Sequence, residues 1–196
     1  MINFIKTPAY ETRPKGKKIF NYLNLLGLQL IDPPPKKSAG LIIKADLVLY
    51  SPARRVREGV NLKTKNKFEI LALKEITFNL KKMVTEEELS KYGSSIVRAR
   101  FKKAFIKDKL PVKRTILLKE AKEIINRCLA EPSKTEIAII SHSFRLKIIE
   151  AFIKTNGQLA QNPELIHNFL KDEEKTYEFG QGFSVSNKTL KLKFNS

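Results

Sequence analysis

The stretch that most constrains how this chain can fold is Glu136 to Leu146, EIAIISHSFRL. Ile137 to Ile140 form an apolar run too short for a lone helix, and Ser141-His142-Ser143 breaks it just before a helical pattern begins. That order predicts a buried strand running straight into a helix N-terminus. A helix N-terminus carries unpaired N–H groups and about half a positive charge, so a polar residue at the junction can help hold an anion. His142 stands there, either as part of a pocket or simply as the cap of the helix.

The rest of the chain supplies the strands and helices that such a junction needs. Ile2 to Lys6 reads as a short strand ended by Thr7-Pro8, since proline has no N–H for a ladder. A basic cluster of Arg13, Lys15, Lys17 and Lys18 follows, and Lys17 to Leu26 has one apolar helical face, with Gly27 placed as a left-handed stop. Asp32 to Ser38 is a proline-rich loop. Asp46 to Tyr50 and Phe68 to Leu73 are the next strands. Thr85-Glu86-Glu87-Glu88 carries the T-x-x-E capping box of a helix that Gly93 interrupts, and its glutamates favour the helix dipole.

An apolar stripe from Ile96 to Phe105 predicts the following helix, with Arg98, Arg100, Lys102 and Lys103 mainly on a solvated face. Leu117, Leu118, Ala121, Ile124, Ile125, Cys128 and Leu129 give the clearest amphipathic helix, ended by Pro132. His142 to Lys154 is the helix after the opening strand, and Asn162-Pro163 starts a short one running to about Lys171. The end alternates like a hairpin: Gly182 to Ser186, a turn at Asn187-Lys188, then Thr189 to Phe194. Strands alternating with helices predict a three-layer α/β fold over residues 1–196 as one domain. Its central sheet is mostly parallel, helices cover both faces, and an antiparallel hairpin closes one edge.

Composition narrows the function. A net charge of +18 implies attraction to polyanions, yet 29 Lys against 9 Arg with abundant Ile and Asn is also what an AT-rich coding sequence yields. Arginine forks interleaved with exposed aromatics, the usual equipment of a nucleic-acid reader, are absent from the pattern. No apolar run reaches the roughly 18 residues of a membrane span and the N-terminus lacks the pattern of a secretion signal, so a cytoplasmic protein is expected. The lone Cys128 reads as a buried inert thiol, and His167, with no metal-spaced partner, as structural. No P-loop, dinucleotide fingerprint or zinc pattern occurs, so neither cofactor nor metal is implied.

Ligands of parallel α/β sheets bind beyond the carboxyl ends of the strands. Just past the four strands lie Lys6 and Thr7, Ser51 to Arg57, Glu75, and His142. These residues resemble the histidine phosphatase superfamily, the phosphoglycerate mutase-like fold, whose strands end in R-H-G, then S-P-x-x-R, then a glutamate in a segment like L-x-E-I-x-F-G, and finally S-H-G. Ser51-Pro52-Ala53-Arg54-Arg55 matches the second motif, Glu75-Ile76-Thr77-Phe78 the third and Ser141-His142 the fourth, in order over nearly the whole chain. The closing FSVSN resembles the family's last strand.

The resemblance implies a role for each residue. In the family the first histidine attacks phosphorus, a carboxyl protonates the departing oxygen, and arginines with the second histidine hold the phosphoryl oxygens. Carried over, Arg55 and His142 hold phosphate and Glu75 is the candidate acid or base. The first motif departs: Lys6-Thr7-Pro8 stands where R-H-G is expected, so Lys6 supplies a point charge without an arginine's fork and Thr7 replaces the nucleophile. The expected protein therefore binds a phosphorylated small molecule or phosphoprotein and is catalytically impaired. Two alternatives remain: an active phosphomonoesterase or phosphotransferase using His142 or a substrate-activated water, and a basic module with weak affinity for polyanions, nucleic acid or acidic protein. Arg54 and Arg57 are read as solvent-facing or steering residues.

Overall fold

The computed structural model describes residues 1–8, 18–36, 40–132, 135–172, 174 and 176–194. Strands β1 (Ile2–Lys6), β3 (Leu47–Tyr50), β5 (Lys67–Glu69), β6 (Ile137–Ser141) and β7 (Gly182–Val185) form one sheet in the order β5-β3-β6-β1-β7. All neighbours are parallel except β7, which runs antiparallel to β1. A small parallel ladder, β2 (Leu41–Ile43) with β4 (Val60–Leu62), flanks α2 (Arg54–Gly59). The central strand β6 is buried along its whole length, because its side chains point alternately into two apolar clusters. Ile137 and Ile139 face the larger one, with Phe4, Leu49 and the apolar sides of α5 (Arg114–Leu129), α6 (Ser143–Lys154) and α7 (Asn187–Phe194). Ala138 and Ile140 face the smaller one, under Val56 of α2. Helices therefore cover both faces, as the sequence pattern requires.

Three local expectations are corrected. The edge is antiparallel, but its second arm is a helix: Ser186 Oγ accepts from the Thr189 N–H, and Leu190 and Phe194, four apart, pack inward while Leu192 stays 69% exposed. A strand would have put all three on one face. Gly27 lies inside α1 (Lys18–Gly27) rather than at a left-handed stop, which falls at Gln29 (φ 57°). Gly27 is needed for contact: a Cβ there would meet the Phe78 carbonyl oxygen at 2.7 Å. Phe68 to Leu73 is a strand only through Glu69, followed by a 3-10 turn over Leu71–Leu73.

The predicted solvated face of α4 (Ser94–Ile106) is also wrong at two positions. Arg98 and Lys102 are buried, and both reach Asp172: Arg98 Nε donates to its carbonyl at 3.0 Å and Lys102 Nζ to its carboxylate at 2.7 Å. Periodicity cannot show that a distant loop supplies a carbonyl and a carboxylate over that face. The Thr85 capping box forms on α3 (Glu86–Tyr92), and Gly93 (φ 59°) separates α3 from α4. The Asn162-Pro163 start leads to a 3-10 turn, Pro163–Asn168, shorter than the helix expected. Cys128 is buried, and that burial pushes its thiol up to about 12. Arg13, Lys15 and Lys17 of the basic cluster, and Lys37 and Ser38 of the proline-rich loop, lie outside the described residues. No described helix is long and apolar enough to cross a membrane.

Pairing of β7 with β1 depends on Gly182, where a Cβ would sit 1.7 Å from the Phe4 carbonyl oxygen. Gly182→Ala is expected to lower stability by about 1–3 kcal/mol. Gly40→Ala, where nothing lies within 4 Å, should change it little in the same denaturant titration.

Candidate phosphate site

Three strands end at the same level because of their parallel register. Lys6 of β1 pairs with Ser141 of β6, and Tyr50 of β3 with Ile140. The ladder continues one residue beyond each end: the Thr7 N–H donates to the Ser141 carbonyl at 2.8 Å and the Ser51 N–H to the Ile140 carbonyl at 3.0 Å. Pro8 and Pro52 follow, and neither can extend the pairing. The chain leaves Ser51 into α2, which carries Arg55 back over the strand ends, while β6 passes through His142 into α6. Thr7, Ser51, Arg55 and His142 thus converge, all buried.

Glu75 arrives from the segment after β5, and that segment is held by side chains from the core. Ser141 Oγ donates to the Leu73 carbonyl at 2.7 Å, Arg145 Nε to the Lys74 carbonyl at 3.2 Å, and Gln29 Nε2 to the Glu75 carbonyl at 2.5 Å. Glu75 Oε2 then lies 3.4 Å from His142 Nδ1 and 3.7 Å from Arg55 Nη2. With a quarter of its side chain exposed, Glu75 is where this cluster meets solvent.

Hydrogen bonding defines the imidazole. Arg55 Nη2 lies against His142 Nδ1, and a guanidinium can only donate, so Nδ1 accepts. The proton is therefore on Nε2, which donates to Ser51 Oγ at 2.8 Å. Burial, reinforced by the charges of Arg55, Arg145 and Lys74, holds the His142 pKa well below its ordinary value of 6.5, so the ring is neutral at pH 7. His142 occupies the N-cap position of α6, and its side chain makes no capping hydrogen bond.

Burial lowers Arg55 to about 10, against the attraction of Glu75, and it remains charged at neutral pH. Burial raises Glu75 above the usual carboxylate range, opposed by Arg55, the Ile76 N–H, Arg145 and Lys6. A carboxyl tuned upward beside a fixed cation can deliver a proton to a departing oxygen.

Thr7 is no substitute for a nucleophilic imidazole. Its hydroxyl accepts from Arg55 Nε at 3.1 Å, and among the described residues no base hydrogen-bonds to it. Lys6, expected at the phosphate, donates through Nζ to the Tyr177 carbonyl at 2.5 Å, so an anion there would have to share or displace that bond. Arg54 pairs with Glu58 on the surface and Arg57 is exposed, as expected. His167 is exposed beside Glu164, away from these groups. Among the described residues, no cluster of three or more His, Cys, Asp or Glu could hold a metal ion.

Sequence reasoning missed Arg145, which is buried and braced by Glu120 at 2.6 Å. Its signal was available: it stands three residues after His142, on the same face of α6. The part of Ser141 was not legible, because its acceptor is a carbonyl 68 positions away.

The structure is an α/β fold with a cationic, histidine-containing cluster of side chains at the carboxyl ends of parallel strands. No protein-family model matches the sequence, and comparison with curated proteins finds no match. Among solved structures, a mutant phosphoserine phosphatase from Entamoeba histolytica in complex with phosphoserine is similar to this chain at 16% identity and a TM-score of 0.41. The match covers 86% of this chain and 84% of that one. At that level the likeness assigns no role to any residue here.

The buried neutral imidazole has a thermodynamic consequence. Its folded pKa is depressed, so its contribution to stability is present above the unfolded value of 6.5 and is lost as pH falls below it. Stability should drop between pH 6.5 and 5 with an added slope of up to about 1.4 kcal/mol per pH unit. His142→Asn should remove that added slope in equilibrium unfolding, whatever it does to absolute stability.

Proposed function

We propose that this chain is one histidine phosphatase-like domain that binds a phosphate group or a phosphorylated ligand and turns it over poorly or not at all. The observation that carries the proposal is the convergence of Arg55, Glu75 and neutral His142 beyond three parallel strand ends, with Thr7 at the position where the resemblance calls for the first histidine. Arg55 supplies fixed charge and a planar fork for phosphoryl oxygens, and His142 can add one neutral hydrogen bond. Lys6 adds a point charge at the rim, and the N-terminus of α6 favours an anion at His142. Glu75 would serve as proton donor to a leaving oxygen. The missing element is the atom that attacks phosphorus.

Thr7 presents a neutral hydroxyl to a guanidinium, an arrangement that does not generate an alkoxide. In another covalent enzyme, removing the nucleophile costs roughly 10⁶ in rate, and a comparable deficit here would leave binding as the main property of the site. The ligand class that fits is a phosphorylated small molecule or an exposed phosphorylated residue of a protein.

Calorimetry with orthophosphate should detect binding, and Arg55→Ala should weaken it by about 10- to 100-fold, the loss of charge-assisted hydrogen bonds of 1.5–3 kcal/mol. Turnover of an aryl phosphate should stay near background and be unaffected by Thr7→Ala. Turnover at rates ordinary for enzymes, or an acid-quenched phosphoenzyme lost on His142→Ala, would instead establish a working phosphotransferase.

A further inference from the structure

A second group of cations lies outside this site. A cleft of about 390 Å³ is lined by Tyr50, Arg57, Val60, Asn61, Leu62 and Lys67, between the α2–β4 segment and the edge strand β5. Its volume is within the range of small-ligand sites. Arg57 and Lys67 are exposed, and their side chains have neither an ion-pair nor a hydrogen-bond partner among the described residues. The Tyr50 hydroxyl and the Asn61 side-chain amide are likewise unengaged among the described residues. Glu58 is committed to Arg54 at 2.7 Å, leaving Arg57 as the uncompensated charge of that helix surface.

The segments that line the cleft carry further lysines next to Leu62 and Lys67 in the chain. The β2–β4 register pairs Ile43 with Leu62, and the Lys63 N–H donates to the Ile43 carbonyl, so Lys44 and Lys63 stand side by side. Thr64 Oγ1 donates to the Asp46 carbonyl and accepts from the Asn66 N–H, which holds the turn carrying Lys65 toward Lys67. Lys44, Lys63, Lys65 and Lys67 are all exposed. Asp46 and Glu69 are the acidic groups in the adjoining strand segments, and the Asp46 carboxylate accepts from the Glu136 N–H.

We propose that this cleft and these lysines form a second anion site, for a ligand carrying two or more linked phosphoryl groups. One phosphoryl group sits in the cleft between the Arg57 fork and the Lys67 ammonium, with hydrogen bonds from Tyr50 and Asn61, and the following ones run along the lysines. A single phosphate uses only the cleft, so the site discriminates by chain length. Arg57 lies two residues beyond Arg55 on α2, where side chains point to different sides of the helix, and Arg55 is buried while Arg57 is exposed. The site is therefore independent of the one at His142.

The test titrates the full chain with inorganic tripolyphosphate, with orthophosphate and with adenosine triphosphate. Tripolyphosphate should bind at least about tenfold tighter than orthophosphate, and Arg57→Ala or Lys67→Ala should each weaken it by about tenfold. Both positions are exposed, so neither substitution threatens folding. Lys188→Ala with Lys191→Ala on α7 removes two positive charges elsewhere and should leave affinity unchanged. Adenosine triphosphate binding no tighter than tripolyphosphate identifies the phosphate chain as what is recognised. An equal loss in the α7 pair would reduce the effect to the general field of a basic protein and overturn the proposal, as would wild-type affinity in both cleft variants. Arg55→Ala separates the two sites: it should weaken orthophosphate binding at His142 by about 10- to 100-fold while tripolyphosphate binding persists.

Discussion

The structure depends first on the alignment of three parallel strands at a common level. Because Lys6, Ser141 and Tyr50 end their strands together, the next residue of each chain segment emerges at one place, and two backbone hydrogen bonds beyond the ladder lock Thr7 and Ser51 there. A slip of one residue would turn each strand's buried side chains to the opposite face. With β6 apolar on both faces, such a slip exposes no polar alternative, so register is set by its neighbours and by the proline after each flanking strand.

That alignment places a charged guanidinium and an imidazole, both buried, close to a carboxyl that is a quarter exposed. Burying these groups is costly, and the arrangement offsets the cost by assigning each a fixed role: Arg55 donates, His142 accepts at Nδ1 and donates at Nε2, and Glu75 remains where solvent can reach it. The same burial that keeps the imidazole neutral raises the carboxyl, so one environment yields a neutral ring and a protonatable acid. The second cluster, at Arg57 and Lys67, has the opposite character. Its charges are exposed and uncompensated, attract anions from solution and are sensitive to salt.

Much of the central fold was legible in the chain. The apolar run before His142, the short run at Leu47 to Tyr50 and the opening strand are parts of one parallel sheet, and apolar spacing marked α5 and α6. Local chemistry misled where two periods fit the same residues. Thr189 to Phe194 alternates well enough for a strand, and only Phe152, stacked against Phe194, together with the buried site for Leu190, selects the helix. Gly27 looked like a turn residue because the approach of Phe78, about fifty positions later, has no local trace. Arg98 and Lys102 looked solvated for the same reason: Asp172 reaches them from beyond the following helices.

The sequence therefore settled three strands of the sheet, the opening one and those that end before Ser51 and before His142, and that an arginine and a histidine would follow the last two. These are consequences of apolar run length, proline and helix-start chemistry, all of which act over a few residues. Tertiary structure alone decided the order β5-β3-β6-β1-β7, the contact of Arg55 with both Thr7 and His142, the protonated nitrogen of the ring and the bracing of Glu75 by Ser141, Arg145 and Gln29. It also decided that Lys67 and Arg57 share a cleft. Pairings across tens of residues depend on which surfaces bury one another, and no local pattern encodes that choice.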